Sequence, residues 1–261
     1  EAALYQLVWS APRLTEKEEK DPGTPMPQLP SSDSGGTGPK LSAFDPPPWG
    51  TGAAFEVRPG SARPVDVQGL QAFVPRFYGV AEVGDKRFLM LHDACADYRQ
   101  PCVLDLKMGH NTGYTWATEA YRTKCRGKDE STTQHSLGYR VSGLQMYNKA
   151  TAAVDKAERQ WGKTLTDTTM GGALLRFASA SGLTAGQVYG GSGGALSRLR
   201  LLRDWFADQR SFCFYQASVL ITYEGLASGA EDANVQVHWI DFAHTYPSLG
   251  QQDTNVHGAL V

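Results

Sequence analysis

The sequence predicts an α+β fold, and three observations carry the prediction. Residues 72–79 lead into Val80 to Val83 on one side of Gly84-Asp85, and the run Phe88-Leu89-Met90-Leu91 follows on the other, the pattern of a β-hairpin. Residues 195–209 place Leu196, Leu199, Leu202, Trp205 and Phe206 on one face of a helix. Residues 218–223 and 235–240 are rich in β-branched and aromatic side chains and flank a polar, glycine-containing loop, which predicts two more strands.

The remaining elements follow in chain order. Ala2, Leu4, Tyr5, Val8 and Trp9 have helical spacing and predict a short opening helix. Residues 21–52 are dominated by Pro, Gly and Ser and predict a long loop. After the hairpin comes His92-Asp93-Ala94, then a strand at 102–106, then a helix over 115–125 that carries Arg122 and Lys124, with Arg126 and Lys128 just beyond. Residues 136–147 predict paired strands turning at Ser142-Gly143, and residues 168–179 a helix. The run Gly190-Gly191-Ser192-Gly193-Gly194 precedes a helix but lacks the GxxxxGK[ST] pattern, so it is excluded as a phosphate loop.

The chain has 261 residues, of which 41% are hydrophobic, enough for a sizeable core. Its formal net charge of -2 excludes a global positive field for nucleic acid or an anionic membrane, so any anion site must be local. No apolar window reaches the length of a membrane span. Cys95, Cys102, Cys125 and Cys213 have neither metal-ligand nor disulfide spacing, which points to reduced thiols and a cytosolic or nuclear protein. His135 and His238 lack a second ligand at a fitting spacing.

Two constellations could carry chemistry. Asp105 and Lys107 lie two apart in an apolar strand pattern, so they share a face. They are read either as a structural ion pair or as part of a site, with Asp105 a general base on chemistry alone. Asp241, in Ile240-Asp241-Phe242-Ala243-His244, closes a strand, a position suited to holding the divalent cation that phosphoryl transfer requires.

Pro101, Asp105, Lys107 and Gly109 fill the pattern P-x-x-x-D-x-K-x-G, and the chain resembles the inositol polyphosphate kinase family. Ser136-Leu137-Gly138-Tyr139-Arg140, Tyr189-Gly190-Gly191-Ser192-Gly193-Gly194 and Lys124-Cys125 resemble the multikinase branch of plants, whereas residues 101–109 resemble the hexakisphosphate kinases. The resemblance implies a single catalytic domain with a two-lobed kinase-like fold, an antiparallel sheet in each lobe and ATP between them. Residues 1–93 would form a partial N-lobe and residues 94–261 the C-lobe. The implied activity is transfer of the γ-phosphate of ATP to inositol tris- and tetrakisphosphates. The alternatives are a hexakisphosphate kinase making a pyrophosphate, or a non-catalytic inositol-phosphate-binding module.

The resemblance also implies roles. His92, Asp93 and Ala94 would meet adenine, and Asp105 the ribose hydroxyls, in place of the base role. Lys107 would touch substrate and the transferring phosphoryl group, and Asp241, with Ser218, would hold Mg2+. Arg122, Lys124, Arg126 and His244 would face the inositol phosphates. Glu1-Ala2-Ala3-Leu4-Tyr5 resembles the helix that follows the family's ATP-covering strands, so those strands and their lysine would lie upstream of Glu1; Lys17, Lys20 and Lys40, in loop-like segments, are poor substitutes. A monomer is expected.

Overall fold

The computed structural model describes residues 1–11 and 62–261. The expected loop over 21–52, with Lys17, Lys20 and Lys40, lies outside the described residues. Helix α1 (Ala2–Ser10) buries Leu4, Tyr5 and Val8, one face of the pattern that predicted it. Helix α2 (Pro64–Leu70) starts at a proline, whose fixed φ suits the first turn. Strands β1 (Phe77–Val83) and β2 (Lys86–Leu91) form the hairpin, paired from Val83↔Lys86 to Phe77↔Leu91.

The centre of the molecule is a five-stranded antiparallel sheet of order β5-β4-β3-β7-β8. Its strands are β3 (Pro101–Met108), β4 (Tyr139–Asn148), β5 (Ala153–Ala157), β7 (Ser218–Glu224) and β8 (Gln236–Ile240). In β3, Cys102, Leu104, Leu106 and Met108 are buried in the core while Val103, Asp105 and Lys107 occupy the other face. Strict alternation of this kind is what one solvated sheet face requires.

Helices α3 (Glu119–Glu130) and α4 (Thr133–Leu137) connect β3 to β4, and α5 (Arg159–Gly162), α6 (Asp167–Ser179), α7 (Ala185–Tyr189) and α8 (Ala195–Asp208) follow β5. A two-stranded sheet of β6 (Phe212–Phe214) and β9 (Thr245–Pro247) and the closing helix α9 (Thr254–Leu260) complete the fold. Phe206, Phe212, Phe214, Trp239 and Phe242 are fully buried and join α8 to the sheet.

Three expectations change. The predicted helix over 115–125 is α3, displaced towards the C-terminus because Thr118 caps it, accepting from Tyr121 N. The predicted strand pair over 136–147 is α4 followed by one strand. Ser142-Gly143 is a bulge, since Asp105 faces Gly143 and Leu106 faces Val141. Leu196 stays exposed on α8, where Leu202 and Phe206 carry the burial. The glycine run is the turn between α7 and α8: a Cβ on Gly194 would lie 2.0 Å from Gly190 O, so only glycine fits.

Candidate active site

Sheet register assembles the site. Asp105 faces Gly143 on β4 and Leu220 on β7, and Leu220 faces His238 on β8. One step along, Lys107 faces Arg140 and Ser218, and Ser218 faces Ile240. Opposed residues share a face, so Asp105, Lys107, Ser218 and His238 form one floor.

Lys107 is fixed on this floor. Its Nζ donates to Asp241 Oδ2 at 2.6 Å and to the carbonyl oxygen of Gln216 at 2.6 Å. Lys107 is mostly buried and Asp241 half exposed, so the pair stands at the edge of water. Asp241 has φ 69°, a left-handed conformation that Asp tolerates better than most residues. Phe242 anchors that turn: its N–H donates to Glu1 Oε1 and its ring packs 5.0 Å from Tyr5 of α1. Ser218 is wholly buried beneath it, its hydroxyl 3.4 Å from Asp241 Oδ2.

Burial pushes the Asp105 carboxyl above the ordinary carboxylate value, with Ser218 and Lys107 opposing the rise. Its Oδ1 is buried without a partner, a lone acceptor on the floor. Such an orphan is costly unless a ligand donates to it.

At one end of the floor a cavity of about 270 Å³ is lined by His92, Ala94, Asp97, Tyr98, Asn234, Gln236 and His238. Asp93 is not in the lining; its Oδ1 caps the turn by accepting from Cys95 N at 2.8 Å. Burial, with Arg198 and His92, pushes His238 down to about 4, so its imidazole is neutral at pH 7.

Beyond Lys107 a larger cavity of about 410 Å³ is lined by Arg122, Arg126, Asp129, Tyr215, Asn111 and Asn255, among others. Arg122 and Arg126 are four apart on α3 and so share a face. Arg122 is paired with Glu119, whereas Arg126 is exposed with no ion pair among the described residues. Lys124, two residues round the helix, is exposed and does not line the cavity. Asp129 also lines it, held in place by Thr112, whose N–H and hydroxyl donate to both of its carboxylate oxygens.

The ring of His244 lies 5.9 Å from that of Tyr114, within reach of the Lys107 charge. Burial, then the nearby Lys107, lowers its pKa. Gly109 has φ 95°, and a Cβ there would meet Asn255 Nδ2 at 2.6 Å. Asn255 in turn clamps Asn111, accepting from its N–H and donating to its carbonyl. The last glycine of the motif thus shapes the cavity wall.

The donor set fits a divalent cation bound with a nucleotide. The candidate ligands are oxygens, as hard cations prefer. Among the described residues no three His, Cys, Asp or Glu side chains converge as a cage. Asp241 alone, or with one more oxygen, would need phosphate oxygens to complete the shell, the usual situation for an ion carried on a nucleotide.

Sequence reasoning missed Gln216, Tyr215 and Asn255, and weighed His238 only as a metal ligand, not as a wall of the smaller cavity. Gln216 and Asn255 act through backbone conformation or distant pairing, neither of which leaves a spacing pattern. Tyr215 lies three residues before the strand expected from Ser218, yet its place is set beside the β6–β9 pairing, where its N–H donates to His244 O.

A fixed lysine–carboxylate pair between a cavity beside His92 and Ala94 and a cavity carrying Arg122 and Arg126 is the arrangement of a phosphotransferase-like α+β protein. The model of the family described as inositol polyphosphate kinase matches residues 88–260, and the chain belongs to that family. It is similar to inositol polyphosphate multikinase alpha of Arabidopsis thaliana, 34% identical over 210 residues, which cover 73% of this chain and 72% of that one. It is also similar to inositol polyphosphate multikinase IPK2 of Oryza sativa subsp. indica, 35% identical over 227 residues covering 80% and 76%. A solved inositol phosphate multikinase structure, 35% identical, superposes with a TM-score of 0.64 over 72% of this chain and 84% of that one. A second, the S. cerevisiae multikinase Ipk2 in complex with ADP and Mn2+, shares the fold at 21% identity, with a TM-score of 0.61 over 73% and 86%. Among the described residues no helix is long and apolar enough to cross a membrane.

Proposed function

We propose that the chain transfers the γ-phosphoryl group of ATP to a hydroxyl of an inositol tris- or tetrakisphosphate, as a multikinase. The observation that carries this reading is Lys107, fixed by Asp241 and Gln216 on a sheet floor with a polar cavity beside His92 and Ala94 at one end and a cavity carrying Arg122 and Arg126 beyond it. The similarity to plant multikinases over most of both chains supports the multikinase branch.

The nucleotide lies along the floor. Adenine enters the cavity beside His92 and Ala94, and the orphaned Asp105 Oδ1 accepts a ribose hydroxyl. Mg2+, in the place of the Mn2+ of the yeast relative, is held through Asp241 and neutralises phosphate charge. Ser218 orients that carboxylate from below.

The acceptor's phosphates face Arg122, Arg126 and His244, and planar guanidinium groups can grip two phosphate oxygens at once. Lys107 aims a free N–H at the transferring phosphoryl group and offsets the charge that develops there. Phosphoryl transfer asks little covalent work of the protein, so holding donor and acceptor in line supplies most of the rate. Tyr5 and Phe242, whose rings pack at a tilt beside the Asp241 turn, supply that rigidity.

The test is incubation of the chain and Lys107→Ala with Mg-ATP and a panel of inositol phosphates. New tetrakis- and pentakisphosphates from the native chain, and a loss of roughly 10²-fold or more in the variant, are expected. A pyrophosphate made from the hexakisphosphate would move the chain to the other branch. Binding without any product would make it a binding module.

A further inference from the structure

We propose that Gln216 is a positioning residue that couples the substrate-side helix α3 to the ammonium group of Lys107, an inference that rests on the kinase reading above. Gln216 has φ 60°, a left-handed conformation costly for a side chain with a Cβ and free for glycine. Residues held this way persist only where their surroundings over-determine them. Here the surroundings are specific. The carbonyl of Gln216 accepts from Lys107 Nζ at 2.6 Å. Its side-chain Nε2 donates to Tyr121 Oη of α3 at 2.6 Å and to Thr112 O at 3.2 Å. Thr112 is in turn bonded to Asp129 near the end of the same helix.

One residue therefore grips the catalytic lysine with its backbone and the substrate helix with its amide. The other fixed partner of Lys107 is Asp241, also left-handed at φ 69°. An ammonium has three N–H donors. Two are committed to Gln216 and Asp241, so the direction of the third is set by where those two acceptors stand. A displacement of α3, which carries Arg122 and Arg126, pulls on Tyr121 and hence on the Gln216 turn. The lysine is aimed only when the substrate helix is seated.

The experiment uses the full chain with Tyr121→Phe, Gln216→Ala, Gln216→Gly and the Tyr121→Phe/Gln216→Ala double variant. Mg-ATP and an inositol trisphosphate are the substrates. Tyr121→Phe and Gln216→Ala should each lower kcat roughly tenfold while leaving KM for Mg-ATP within about twofold. The double variant should be no worse than the worse single one, because both changes cut one tether. Gln216→Gly should melt no lower than Gln216→Ala, since it relieves the strain, and yet share its low kcat.

A second readout needs no turnover. The rate at which acetic anhydride labels Lys107, relative to exposed Lys124, should rise several-fold in all four variants. Native kcat and native labelling in Tyr121→Phe or Gln216→Gly, or losses that multiply in the double variant, overturn the coupling. If the native chain phosphorylates no inositol phosphate, the kinase reading falls by itself and the labelling ratio alone decides the tether.

Discussion

Replacing Asp241 by Asn separates chemistry from stability at the centre of the site. Asn tolerates the left-handed φ of 69° as well as Asp does, so the turn survives and only the charge is lost. The ion pair with Lys107 is half exposed on the Asp241 side, which screens it, and its removal should cost about 0.5 kcal/mol. Lys107 keeps the Gln216 carbonyl, so no buried cation is abandoned. In a chain of this size that cost lowers the melting temperature by about 1–2 °C. Catalysis should suffer far more. Losing an anionic ligand to the divalent cation removes several kcal/mol of transition-state stabilisation, so kcat should fall roughly 10³-fold. Asp241→Ala should show the same kcat and a further loss of about 1–2 kcal/mol in stability, because Ala bears the full left-handed strain. Steady-state kinetics and thermal melting of both variants check this. An Asn variant that keeps more than about a tenth of native kcat, or melts more than about 5 °C lower, would refute the reasoning.

Arg126→Ala should raise KM for an inositol trisphosphate roughly tenfold and leave KM for Mg-ATP unchanged, since Arg126 lines the basic cavity and has no structural ion pair among the described residues. Product-resolved kinetics would show it. Asp253, the N-cap of α9, is buried and its carboxyl is pushed up to about 6 by that burial, despite accepting from Phe214 N and Val256 N. A raised carboxyl pKa means the fold prefers the neutral acid. Stability from this group is therefore present below the ordinary value of 3.8 and lost as pH rises through about 6, by roughly 3 kcal/mol. Urea unfolding from pH 4 to 8 should show Asp253→Asn with a flatter profile across that window. Parallel profiles would exclude the linkage.

Strand β3 shows how far a linear pattern reaches. The alternation of Cys102, Leu104, Leu106 and Met108 with Val103, Asp105 and Lys107 is a local property, because a strand's side-chain period is two, and the spacing alone places Asp105 and Lys107 on one face. The hairpin of β1 and β2, the core face of α8 around Leu202 and Phe206, and the family motif were legible for the same reason. Element edges were not: Thr118 moved the start of α3, and a bulge at Ser142 turned an expected hairpin into one strand.

What the chain determines by itself is the α+β class, the family and the placement of Asp105 and Lys107 on one strand face, all written in nearest-neighbour spacing. Tertiary structure alone decided which groups meet Lys107. Gln216 and Asp241 reach it through left-handed turns 109 and 134 residues away, and Asn255 closes on Asn111 across 144. Contacts at such separations depend on how the sheet registers and where the chain reverses, and no periodicity in the sequence records either.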